Sequence, residues 1–171
     1  MLDRPNDKDP GVPPREPDGA AGNGESGDLR ARMLREAPVL TAYRLNYVAN
    51  RFTQTLYAAM EREHGIGRAP FVVMLCLATV GEATAQEIAD ATHRPKNSLS
   101  RAVRELEAKG LVERDTDPND ARRQPIRLTA AGRQLYERLL PMAEEAEQRM
   151  LDPIEDGERE ALLRALGRMV R

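Results

Sequence analysis

Between Thr84 and Thr129 the chain reads TAQEIADATHRPKNSLSRAVRELEAKGLVERDTDPNDARRQPIRLT, and this stretch restricts the fold more than any other. From Pro95 to Lys109, the residues Leu99, Ala102, Val103 and Leu106 fall at the i, i+3, i+4, i+7 spacing of one buried helical stripe. The opposite arc carries Lys96, Asn97, Ser100, Arg101 and Arg104, with Ser98 on the flank. A shorter helix, about Ala85 to Ala91, precedes it and turns Ile88 and Ala89 to the same core. The turn through Thr92, His93 and Arg94 has the length a helix-turn-helix needs.

A hairpin follows. Gly110 stands where a helix C-terminal glycine belongs, and Leu111 to Arg114 reads as a strand. Asp117-Pro118-Asn119-Asp120 makes a turn, and Gln124 to Leu128 returns with Ile126 and Leu128 alternating inward. The expected fold is therefore mainly α with a small antiparallel β wing: a winged helix-turn-helix flanked by N- and C-terminal helices.

Charge gives this scaffold a partner. Nearly a third of the chain is charged, with both signs, yet no Asp or Glu occurs from Thr92 to Arg104 or from Ala121 to Arg133. A solvated face normally mixes signs, so two acid-free clusters, the second holding Arg122, Arg123, Arg127 and Arg133, favour a polyanion. Pro95 fits the first helical position, and the helix opens beside Arg94 and Lys96, where free N–H groups and the dipole favour phosphate. Asn97 can pair with an adenine edge, and Lys96 and Arg101 can reach guanine or phosphate. Arginine at the wing tip suits a narrow minor groove, with Asp120 holding Arg122 in place through a carboxylate pair. The competing reading, a winged-helix protein-interaction module, does not require two such clusters.

These residues resemble the MarR (multiple-antibiotic-resistance regulator) family. The likeness is carried by Asn97-Ser98-Leu99-Ser100-Arg101-Ala102-Val103, by Leu106-Glu107-Ala108-Lys109-Gly110-Leu111-Val112-Glu113-Arg114, and above all by Asp117-Pro118-Asn119-Asp120-Ala121-Arg122 leading to Leu128-Thr129. It covers roughly Val39 to Val170, and departs at Pro95, where many relatives carry a serine or another polar residue. The resemblance implies a homodimeric repressor of a near-palindromic operator in double-stranded DNA. It places Lys96 to Arg101 in the major groove and Arg122 in the minor groove. It also implies release by a small aromatic or phenolic ligand, for which Tyr43, Tyr47, Arg51 and Met74 are the candidate lining residues.

Composition sets the remaining bounds. Residues 1–28 are dense in Pro, Gly and Asp and read as a disordered acidic tail, with seven acids against three bases. That net of −4 within a chain of −2 leaves the remainder at about +2. Residues 29–171 read as one domain, with 29–68 and 134–171 forming a helical dimerisation region and 69–133 the winged region. No apolar run or leader pattern points to a membrane, so the expected location is the cytoplasm. One cysteine, Cys76, excludes an internal disulfide; it lies in an apolar run and reads as an inert core thiol. No catalytic constellation, metal-ligand spacing or cofactor motif is present, so the expectation is a non-enzyme without cofactor.

The flanking helices carry more apolar surface than a winged domain needs. Val39 to His64 holds Leu45, Val48, Phe52, Leu56 and Met60 on one stripe, with tyrosines on a second. Pro70 to Val80 is apolar almost all round and is expected to be buried on every side. Leu135, Leu139, Met142, Ala146 and Met150 form a later stripe, and Leu162, Leu163, Leu166, Met169 and Val170 the last. The economical use of these ends is a partner subunit.

Overall fold

The computed structural model describes residues 22–115 and 124–170. Its helices are α1 (Gly22–Glu36), α2 (Leu40–His64), α3 (Arg68–Val80), α4 (Ala85–Thr92), α5 (Lys96–Ala108), α6 (Ala130–Leu151) and α7 (Asp156–Met169). Its strands are β1 (Glu82–Ala83), β2 (Val112–Arg114) and β3 (Ile126–Leu128). The chain divides into two compact units within α2, after Leu45. No described helix is long and apolar enough to cross a membrane.

In the first unit, α1 begins at Gly22, inside the stretch expected to be a disordered tail. The high Pro and Gly content ends before the helix does. Leu29 and Met33 sit one turn apart, and Arg32 pairs with Glu36 at 3.0 Å, an (i, i+4) bridge that favours helix. The Nε of Arg44 donates to the Leu34 carbonyl at 2.9 Å, tying the start of α2 to the end of α1.

The second unit holds the core. Leu56 and Met60 of α2, Phe71, Val73, Met74 and Leu77 of α3, Ile88 of α4, and Leu99, Val103 and Leu106 of α5 pack with Val112, Ile126, Leu128, Leu135 and Leu139. Helix α3 is not buried on every side. Leu75 and Val80 are exposed and Cys76 is half-buried, because α5, α6 and the small sheet cover only part of its circumference. The stripe on α2 fades toward its start, from buried Met60 and Leu56 through half-buried Phe52 to exposed Val48. Helix α7 has no buried residue, and Leu163, Met169 and Val170 are exposed.

Local signals explain the boundaries. Gly65, after α2, and Gly110, after α5, take φ of +64° and +67°, the left-handed conformation that glycine adopts without strain. Thr84 opens α4 with a reciprocal capping box: its Oγ1 accepts from the Glu87 N–H at 3.2 Å, and its own N–H donates to Glu87 Oε2 at 2.6 Å. The sheet has the order β1-β3-β2, antiparallel throughout, so a third strand joins the expected hairpin. In β3, Ile126 and Leu128 are buried and Arg127 is exposed, the expected alternation.

Thr129 joins the wing to α6. Its N–H donates to the Leu111 carbonyl at 3.1 Å, its hydroxyl donates to the Gly110 carbonyl at 2.8 Å, and the same oxygen accepts from the Gly132 N–H at 3.0 Å. A Cβ on Gly132 would overlap the Leu111 carbonyl oxygen, so the first turn of α6 lies against backbone at a distance only glycine permits.

Candidate nucleic-acid interface

Helix α5 is phased by its apolar stripe: Leu99, Ala102, Val103 and Leu106 are all buried. Lys96, Asn97, Arg101 and Arg104 are exposed, while Ser98 and Ser100 are half-buried on the flanks. Pro95 is the N-cap and not the first helical residue; its φ of −57° suits a helix, but its ψ of 125° is extended. It has no side chain to cap the helix, although its carbonyl accepts from the N–H groups of Ser98 and Leu99 at 3.0 and 3.4 Å. The N–H groups of Lys96 and Asn97 belong to the first turn, where an α-helix offers no internal acceptor, and they lie at the positive end of the dipole.

The expected cations are not equivalent. Lys96 and Arg101 have no carboxylate partner among the described residues, whereas the Nε of Arg104 is bound to the Ser100 carbonyl of its own helix at 3.3 Å. Arg94 is half-buried, unlike the exposed Lys96 and Arg101. Desolvation lowers its pKa first, and the neighbouring charge of Arg68 lowers it further. A surface groove of about 420 Å³ runs between the starts of α3 and α5, with Ala69 and Pro70 on one side and Pro95, Asn97, Ser98 and Arg101 on the other.

The hairpin corrects the second basic cluster. Arg127 lies directly across from Glu113 in the β2–β3 register, and its Nε reaches Glu113 Oε1 at 2.8 Å and its Nη1 Asp115 Oδ2 at 3.4 Å. The Glu113 hydrogen bond, then the charges of Glu113 and Asp115, hold the Arg127 guanidinium above its ordinary pKa. Arg127 is therefore a cross-strand partner. Arg114 is likewise engaged, by Glu107 at 2.7 Å and by Gln124 at 3.2 Å. The wing-tip candidates Asp120, Arg122 and Arg123 lie outside the described residues.

Of the proposed ligand-lining residues, only Tyr47 and Arg51 come together. They line a cleft of about 510 Å³ between α2 and α6 with Val48, Phe52, Ala146 and Arg149. Met74 is 0% exposed and belongs to the core, because α3 turns it inward with Phe71 and Leu77. Tyr43 lies in the other unit. Cys76 lines a separate groove of about 440 Å³ with Leu75, Thr79, Val80 and Ile88. It is half-buried, not a full core residue, and burial raises its thiol pKa.

Three features escaped the sequence reading. Thr84-x-x-Glu87 was legible as a capping box. The placing of Arg68 over Tyr57 depends on two helices meeting, and the approach of Gly132 to Leu111 on a contact distant in sequence; neither has a local signature.

Comparison with known proteins agrees with this geometry. Residues 64–123 match the MarR family model. The transcriptional repressor NicR of Pseudomonas putida is 29% identical over 100 residues, which cover 58% of this chain and 63% of NicR, less than two thirds of that relative's length. A MarR-family transcriptional regulator from Silicibacter pomeroyi superposes with a TM-score of 0.70 at 27% identity, covering 82% of this chain and 92% of that one. Bordetella bronchiseptica BpsR, whose structure is described as a mechanism for regulation of DNA binding by 6-hydroxynicotinic acid, gives a TM-score of 0.67 at 25% identity. That comparison covers 75% of this chain and 91% of BpsR. The sequence match on the winged segment and the fold match across most of its length make this chain similar to MarR-family transcriptional regulators.

Proposed function

We propose that this protein is a homodimeric, sequence-specific DNA-binding transcriptional regulator, acting as a repressor that a small anionic aromatic ligand releases. The observation that carries the reading is the outer face of α5. It presents Lys96, Asn97 and Arg101 without an ion pair among the described residues, beside an uncapped helix start, while the neighbouring Arg114 and Arg127 are neutralised. Asn97 and Arg101 read base edges in the major groove, Lys96 and the helix N-terminus hold phosphate, and Ser98, Ser100 and Arg104 flank them. Arg122 and Arg123 extend the contact into the minor groove, with Asp120 fixing Arg122.

Two such surfaces are joined through the terminal helices. The exposed Leu163, Met169 and Val170 support a second copy as the partner, and two-fold pairing sets two recognition helices about one DNA turn apart. The repressor sense is supported by the name of the Pseudomonas relative. The ligand class is supported by the description of the Bordetella relative and by the cleft where Arg51 and Arg149 stand near Tyr47 and Phe52. A ligand there releases DNA only by binding the DNA-incompetent spacing of the two winged units more tightly than the competent one.

The test is binding to the DNA upstream of its own gene, titrated with salt and then with aromatic acids. Affinity should fall by about 0.9 log units per log unit of salt for each phosphate neutralised, and one acid should release the complex. Failure to bind that or any other genomic fragment would discard the regulator reading.

A further inference from the structure

At the carboxyl end of α3 the second unit carries an apolar groove of about 440 Å³, walled by Leu75, Cys76 and Val80 of α3, Ala83 of β1, and Ile88 and Ala91 of α4. Leu75 and Val80 are 39% and 64% exposed, so large apolar side chains stand open to water along one continuous wall. The volume falls within the range of small-molecule sites, roughly 300–1,000 Å³. No residue of the exposed face of α5 or of the cleft between α2 and α6 lines it.

The charge around this groove is of one sign. No Lys, Arg or His among the described residues lines it, whereas Glu82 and Glu87 do. Glu87 is engaged in the Thr84 capping box at the start of α4. Glu82 is exposed and forms no ion pair within 4 Å among the described residues; Arg127, opposite it in the β1–β3 register, is held by Glu113 and Asp115. Just before Glu82, α3 ends at Val80 with no basic residue in its last turn. The Gly81 N–H satisfies the Leu77 carbonyl at 2.9 Å, but the carbonyls after it have no donor within the helix, so the negative end of the dipole adds to the carboxylate.

We propose that this groove binds a small amphiphilic cation, a short apolar chain ending in an ammonium group, with the chain against Leu75 and Val80 and the cation at Glu82 and the end of α3. Apolar lining alone accepts any apolar molecule of the right size; the one-signed rim selects the cation. It disfavours the anionic aromatic class proposed for the cleft between α2 and α6, and also the chain's own amino-terminal stretch, since residues 1–28 carry a net charge of −4. The site is independent of the DNA-binding reading.

The test pairs two probes of equal chain length and opposite charge, hexyltrimethylammonium and hexanesulfonate, titrated into the full chain and followed by amide resonances. Hexyltrimethylammonium should shift Val80, Ala83 and Ala91 saturably while leaving Arg51 and Arg101 in place, and hexanesulfonate should leave all five unmoved. Glu82→Gln should weaken binding by about fivefold, the scale of a part-exposed ion pair. Thr79→Arg, which puts a cation on the lining, should abolish it. Equal shifts from the two probes, unmoved groove resonances with hexyltrimethylammonium, or an affinity unchanged in both variants would each overturn the proposal. The comparison of probes on the parent chain needs no variant, so it decides even where a substitution disturbs folding.

Discussion

Gly132 shows how much one residue can hold. The Leu111 carbonyl lies where a side chain on Gly132 would be, and Thr129 adds three hydrogen bonds that join the end of α5, the start of the wing and the first turn of α6. Gly132→Ala forces backbone to move and should cost about 2–3 kcal/mol, in the range of core overpacking. Thr129→Ala should cost about 1 kcal/mol as a lost N-cap, with Thr129→Ser recovering most of it; urea unfolding measures both. Equal stability of Gly132→Ala and the parent would mean that α6 does not sit this close. Cys76 gives the second prediction at this scale. Burial raises its pKa, so the thiolate is scarcer at neutral pH than in a free thiol. Iodoacetamide should modify it more slowly than a cysteine peptide at pH 7, with the rate rising toward alkaline pH along a curve displaced upward. Rapid modification with loss of DNA binding would make it a sensor.

Among the elements, α5 divides its work between core and partner, and this division is what mutation should expose. Asn97→Ala should relax sequence preference, whereas Lys96→Ala should weaken every sequence alike and lower the salt slope. Arg127→Ala should leave that slope unchanged, because Arg127 is committed to Glu113 and Asp115. A slope change for Arg127 equal to that for Lys96 would return it to the interface. Much of this was legible in the sequence. The spacing of Leu99, Ala102, Val103 and Leu106 fixed the inward face of α5, and Gly110 with Ile126 and Leu128 fixed the hairpin. What was not legible depends on register or on distant meetings. Counting signs along the chain could not reveal that Glu113 stands opposite Arg127. Helix α3 is apolar on so many sides that its sequence has no phase, which is why Met74 reads equally well as core and as cleft lining.

At the scale of the molecule, the unresolved demand is apolar. Helix α7 leaves Leu163 and Met169 exposed at 63% and 66%, with its C-cap Val170 at 84%, and has no buried residue of its own. On this helix Leu162, Ala165 and Leu166 are only half-buried, and a short helix so lightly packed is marginal in water, so further burial of its apolar side chains would stabilise it. In the proposed homodimer a second copy of the chain would meet this demand. It would also supply what one recognition helix lacks, since linking two half-site contacts makes the second an intramolecular event. The double substitution Leu163→Glu with Met169→Glu should therefore convert the dimer to a monomer in sedimentation and make the parent's melting temperature, but not the mutant's, depend on protein concentration. DNA affinity should fall by about 100-fold or more, the usual scale of lost bivalency, although no residue of α5 has changed. A mutant that remains dimeric would show that the pairing surface lies elsewhere. A mutant that is monomeric yet binds DNA as tightly as the parent would show that a single winged unit carries recognition alone.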